Sequence, residues 1–165
     1  MPWGFLDNRP FLTLLVEYAT LVEEVDGKMA AIPLYEEIIS LNPNDNQGIR
    51  SLLATAYLAT NQLENLFLLD KKYPDDMVAE LSMGTVLGWI KKGEFDLAKK
   101  HIQKHKKHWG NLFTEILKTN HPQPELQEGR VMVGGEDEAW LYWRDQGTFW
   151  MTTKGAVEFL RECIK

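Results

Sequence analysis

Three histidines, His101, His105 and His108, recur at i, i+4 and i+7 within Lys99-Lys100-His101-Ile102-Gln103-Lys104-His105-Lys106-Lys107-His108. On a helix this spacing places the three imidazoles on one face, and clustered imidazoles are ligands for a transition metal. The neighbours oppose that chemistry. No carboxylate or cysteine lies in the run, and its lysines repel a cation. A solvated basic face is therefore expected, with Lys99, Lys100, Lys104 and Lys107 forming a patch for an anion or an acidic partner. A metal-dependent enzyme using the histidines is the weakest reading. Arginine offers a second chemistry. Arg9, beside Asp7, and Arg50, beside an Asx-rich turn, can each grip a carboxylate bidentately. The plainer expectation is that both tie down helix ends and turn carbonyls, which leave groups needing partners. A third set is aromatic: Trp140, Tyr142, Trp143, Phe149 and Trp150. It is expected to pack a C-terminal helix pair, with a peptide groove as the alternative, where Trp and Tyr act as anchors.

Other catalytic signatures are missing from the sequence. There is no Ser/His/Asp set, zinc pattern, dinucleotide fingerprint or paired-carboxylate motif. Gly134-Gly135 are not followed by the Gly-Lys-Ser/Thr of a phosphate loop. Gly84 and Gly88, one turn apart, suggest close approach of helices rather than a membrane dimer motif. Cys163 reads as a small helix residue, since no base is suggested near it. The chain is expected to be no enzyme, with no cofactor and no metal.

Composition narrows the classes further. At 165 residues the chain fits one domain with its own core. A net charge of −6 disfavours a general nucleic-acid or membrane-surface role. A single cysteine precludes an intrachain disulfide and suits a reducing cytoplasm. The N-terminus lacks a basic region followed by an apolar run, so no secretory leader is expected. The apolar runs are shorter than a membrane span. Six tryptophans and seven phenylalanines imply a bulky aromatic core, a sticky groove, or both.

The elements that must position these residues are helices. Leu12, Leu15, Val16, Ala19 and Val22 recur at helical spacing, with Pro10 in the first turn, and Asp26-Gly27 breaks the pattern. Lys28 to Leu41 follows with Ile32, Tyr35, Ile38 and Ile39, and Pro33 either kinks this helix or marks its first turn. Leu41-Asn42-Pro43-Asn44-Asp45-Asn46 is a turn, where Asn44, Asp45 and Asn46 can cap the next helix. Gln47 to Thr60 and Leu63 to Lys72 form a second pair, closed by Tyr73-Pro74-Asp75-Asp76. Met77 to Lys92 and Glu94 to Trp109 form a third, hinged at Gly93. Leu112 to Lys118 is short, and His121 to Gly135 is a loop. Glu136 to Asp145 ends at Gln146-Gly147. Thr152 or Thr153 caps a last helix, Lys154 to Ile164. Val131-Met132-Val133 is a weak strand-like run.

The turn signals recur about every thirty residues, the period of a two-helix repeat. Ala31, Tyr35 and Pro43, and then Gly93, Phe95 and Ala98, resemble positions of the tetratricopeptide repeat. Two signatures, Trp3-Gly4-Phe5-Leu6-Asp7-Asn8-Arg9-Pro10-Phe11 and Leu41 to Arg50, resemble a bacterial single-domain family within that helical group. Leu66, where the repeat usually has alanine, and Pro33 depart from the pattern. The resemblance implies helical scaffolding and protein or peptide binding, with no shared catalytic residues.

The expected architecture is an all-α, right-handed solenoid of about four to five tetratricopeptide-like helix pairs. It forms a single domain over 1–165, with repeats at 10–43, 44–75 and 76–110 and a less regular capping part at 111–165. The expected function is a cytoplasmic interaction or scaffold module that binds a peptide or helix of a partner in its concave groove. Solvent-facing Glu17, Tyr18, Arg50, Tyr57, Glu80 and Trp89 would line that groove. Acidic residues of the first two pairs favour a basic segment in the partner, and self-association is a further option. The alternative is a nucleic-acid- or acidic-partner-binding module using the basic helix 91–107. Nucleic acid is disfavoured by the acidic remainder, and no membrane role is expected.

Overall fold

Apolar residues at helical spacing, separated by short Gly- or Asx-containing breaks, give an all-α chain. The structure is a computed structural model and describes every residue except Pro2 and Asp75; Asp75 of the expected 73–76 turn thus lies outside the described residues. A 3-10 turn at Leu6–Asn8 leads into α1 (Arg9–Asp26), α2 (Lys28–Leu41), α3 (Ile49–Ala59), α4 (Leu63–Lys72) and α5 (Ala79–Lys92). These are followed by α6 (Phe95–His105), α7 (Gly110–Ile116), α8 (Glu136–Thr152) and α9 (Ala156–Ile164). No strand occurs among the described residues, and Val131-Met132-Val133 is an exposed, irregular stretch. Backbone contacts group the chain into two compact units, Met1–Gly84 and Thr85–Lys165, whose boundary falls inside α5.

In the first unit, Gly27 (φ 87) turns the chain in one residue, and α2 packs on α1. A side chain is strained at that φ, which is why glycine serves. The buried sides of the pair carry Leu12, Ala19, Ala31, Ile32 and Tyr35. Tyr35 donates to Glu23 at 2.7 Å, and Glu23 also pairs with Lys28. Pro33 is neither in the first turn nor a helix end, because α2 continues through it. Its missing N–H deprives the Met29 carbonyl, and Met29 is exposed, so water can take that bond.

The next turn is built around one residue. Asp45 (φ 48) adopts the left-handed conformation that Asp tolerates better than most residues. Its buried carboxylate accepts from the N–H groups of Ile49 at 2.8 Å and Arg50 at 2.9 Å. Asp45 thus satisfies two donors at the start of α3, while Asn44 and Asn46 are exposed. Helix α3 packs on α2, and α4 on α3. At Gly84 an added Cβ would meet Leu58 and Leu66 only at 3.9 Å, so close helix approach does not explain that glycine. Every residue from Leu81 to Gly88 is buried, so α5 has no solvent-facing stripe there.

In the second unit, α6 packs on α9, α7 on α8, and α8 on α9. Trp109, Leu112, Phe113, Ile116, Tyr142, Trp150 and Leu160 are its largest buried apolar residues alongside Leu87, Ile90 and Ile102. Two sequence expectations fail here for identifiable reasons. Helix α8 does not stop at Gln146-Gly147 but runs on to Thr152. Gly147 makes room for the Trp143 indole, which a Cβ there would meet at 2.8 Å. The last helix begins at Ala156 behind Gly155 (φ 74), with no side-chain cap from Thr152 or Thr153. Thr153 is buried instead.

Candidate functional site

Helix α1 is apolar on two sides. Leu12 and Ala19 are fully buried, as their spacing predicts. A second stripe faces outward: Phe11 is 47% exposed, Leu14 63%, Tyr18 53%, Leu21 55% and Val25 72%. These residues are spaced three, four, three and four apart, which is the a/d pattern of a coiled-coil seam. Single exposed apolar residues are ordinary on a protein surface. Five on one stripe, over about four helical turns, form a patch that ordinary surfaces avoid. Along one edge stand Thr13, Glu17, Thr20 and Glu24, all exposed, and along the other Leu15 and Val22, both half-buried. Apart from the Tyr18 hydroxyl, the stripe carries no polar side-chain group. It can receive the apolar face of another helix by knobs-into-holes packing.

Of the six expected groove residues, two lie here: Tyr18 is in the stripe and Glu17 borders it. Tyr57 does not face solvent. It is 5% exposed and donates to Glu36 at 2.6 Å, because α3 turns it toward α2. Burial, and then Glu36, push its phenol pKa up. Tyr57 forms part of a shallow cleft with Glu36, Leu68 and Lys72. Glu80 and Trp89 are half-buried on α5. Arg50 is committed within its own unit. It pairs with Asp45 at 2.9 Å and Asp76 at 2.7 Å, and its guanidinium lies 4.7 Å from the Tyr73 ring centroid. Tyr73 in turn donates to the Pro43 carbonyl at 2.7 Å. Arg9 donates to the Trp3 carbonyl at 3.1 Å and stacks over the Trp3 ring. Both arginines therefore serve the structure.

The histidine run divides by face. Lys99, Lys100, Lys104 and Lys107 are exposed, forming the basic patch. The histidines do not share that solvated face. His105 is buried, and the His101 and His105 ring centroids lie 4.8 Å apart. His108 falls beyond the end of α6, edge-on to Trp109 at 4.3 Å. Burial, then the neighbouring His105 and Lys104, lower the His101 pKa to about 4. Among the described residues, no group of three or more His, Cys, Asp or Glu side chains is placed to hold a metal ion.

The aromatic set packs the second unit. Trp150 donates to the Tyr142 hydroxyl at 2.9 Å, and Trp140 to the His121 carbonyl at 3.1 Å. His121 stacks on Trp143 at 4.0 Å and meets the buried Glu115 at 2.9 Å. Glu115 also accepts from Lys118. An open pocket beside the 117–135 connection is lined by Pro124, Gln127, Arg130 and Met132. Glu125, Glu136 and Asp137 also line it, and Asp137 is engaged by the Met132 N–H at 2.8 Å, which lowers its pKa. Cys163 is half-buried, and burial raises its thiol pKa, keeping it a poor nucleophile.

Sequence reading singled out Tyr18 but not Phe11, Leu14, Leu21 and Val25. The signal was present, as a second heptad-spaced apolar series in the same helix. No helix among the described residues is long and apolar enough to cross a membrane. Comparison with family models, with curated proteins and with solved structures finds no match.

Proposed function

We propose that this chain is a non-catalytic interaction module that holds a helix of another protein. The observation that carries the reading is the exposed apolar stripe Phe11, Leu14, Tyr18, Leu21 and Val25 on α1. Leaving five large side chains in water is unfavourable by the hydrophobic effect, and a partner helix relieves it. The finer reading of the fold is a tetratricopeptide-like, right-handed solenoid. It rests on the succession of helices joined by short turns, with α2 packed on α1 and α4 on α3. Cytoplasmic residence belongs to the same proposal and rests on the single cysteine.

Site-specific photo-crosslinking tests the function. A crosslinker placed at position 14 or 21 is expected to capture a protein from extracts of the source cell that a crosslinker at exposed position 158 does not. Capture should be lost in Leu14→Asp/Leu21→Asp protein that retains its helical circular-dichroism signal. Identical captures from all three positions would remove α1 as the binding face. A second reading, an acidic or nucleic-acid partner on the basic patch, is favoured by the exposure of Lys99, Lys100, Lys104 and Lys107. Binding of nucleic acid that falls steeply with salt and is lost in the Lys→Ala variants would support it.

A further inference from the structure

The edges of the α1 stripe say what kind of helix fits it. Glu17 and Glu24 stand a heptad apart on one flank, both exposed. On the other flank are the half-buried, uncharged Leu15 and Val22. In paired helices the residues flanking an a/d seam choose the partner and its orientation through interhelical charge pairs. The only cation within α1, Arg9, is engaged with Trp3, and Lys28, which follows Gly27, is paired with Glu23. The α1 of a second copy supplies no counter-charge in either orientation. Antiparallel pairing sets the glutamate flank against its own image. Parallel pairing sets it against Leu15 and Val22.

Resting on the reading of α1 as a docking face, we infer that its occupant is an amphipathic helix from a different protein. That helix carries a heptad-spaced apolar seam of about two to three heptads, with Lys or Arg along the flank that meets Glu17 and Glu24. The apolar seam supplies most of the affinity, and the flanking charges select among helices of equal hydrophobicity.

Two synthetic helical peptides test this, each about three heptads long with Leu at every a and d position. One carries Lys at e and g, the other Glu. Titrated into the full chain at about 0.15 M salt, the Lys peptide is expected to bind at least about tenfold more tightly than the Glu peptide. Glu17→Lys/Glu24→Lys should reverse that preference. Glu125→Lys/Glu128→Lys, which changes net charge equally at exposed positions of the second unit, should leave it intact. Leu14→Asp/Leu21→Asp should abolish binding of both peptides.

Equal binding of the two peptides, abolished by Leu14→Asp/Leu21→Asp, would overturn the charge selection and leave the helix-docking face standing. So would a preference that survives Glu17→Lys/Glu24→Lys. Failure of both peptides, together with a concentration-dependent dimer that Leu14→Asp/Leu21→Asp dissolves, would overturn the inference in favour of a second copy. Failure of both peptides with the chain monomeric would sink the docking face as well.

Discussion

Asp45 organises the turn between α2 and α3. Its carboxylate caps two N–H groups of α3 and holds Arg50, which reaches Asp76 and covers Tyr73. Asp45→Ala is expected to cost about 2–4 kcal/mol in urea unfolding, because it removes a cap and leaves Arg50 short of a partner. Asp45→Asn, which keeps a side-chain acceptor and tolerance of positive φ, should cost less. His101 gives a residue-scale pH dependence. Its pKa is about 4 in the folded chain, against 6.5 for the free side chain. Between those values the unfolded chain binds the extra proton, so stability rises with pH across that window and is lost as pH falls through it. An imidazole NMR titration of His101 should give a midpoint well below 6. His101→Gln should flatten the acid limb of the unfolding curve.

At the scale of elements, α8 and α1 show how packing overrides local signals. Gly147 looks like a helix stop, and Gly→Ala in a helix ordinarily stabilises by about 1 kcal/mol. Here the new Cβ would press on the Trp143 indole, which is itself stacked on His121. Gly147→Ala is therefore expected to be net destabilising, by about 1–2 kcal/mol, and to lower the melting temperature. A gain in melting temperature would mean that the indole moves freely. Helix α1 shows the converse. Leu14 and Leu21 are mostly exposed in the isolated chain. Leu14→Asp/Leu21→Asp should leave the unfolding free energy within about 1 kcal/mol of the native value, while removing partner binding. A large loss of stability would show that these side chains are core residues.

For the whole molecule, the consequence of interest is where stability concentrates. The boundary between the two compact units falls within α5, whose residues Leu81 to Gly88 are all buried. Amide exchange tracks local opening, which is rarest where burial is most complete. The amides from Met83 to Ile90 are expected to be among the slowest to exchange. Those of the irregular 119–133 connection, where most residues are exposed, should be among the fastest. Rapid exchange within α5 would show that its burial is transient.

The sequence by itself determined the all-α class, most helix locations, and the turns at Gly27, Leu41–Asn46 and Gly93, although α3 begins at Ile49 rather than Gln47. These are local properties: a 3.6-residue apolar period, and residues that accept positive φ or cap a helix. It also pointed to a supporting role for Arg9, while for Arg50 it offered both that role and a place in the groove. Helical spacing placed Leu12 and Ala19 on the core side of α1, but only the tertiary structure showed that Phe11, Leu14, Leu21 and Val25 remain exposed beside Tyr18, because periodicity counts apolar residues without knowing what stands opposite them. For the same reason it took tertiary packing to bury Tyr57 and to separate His105 from the lysines that surround it in sequence. Packing also carried α8 through Gly147, where a neighbouring indole fills the space that a side chain would occupy.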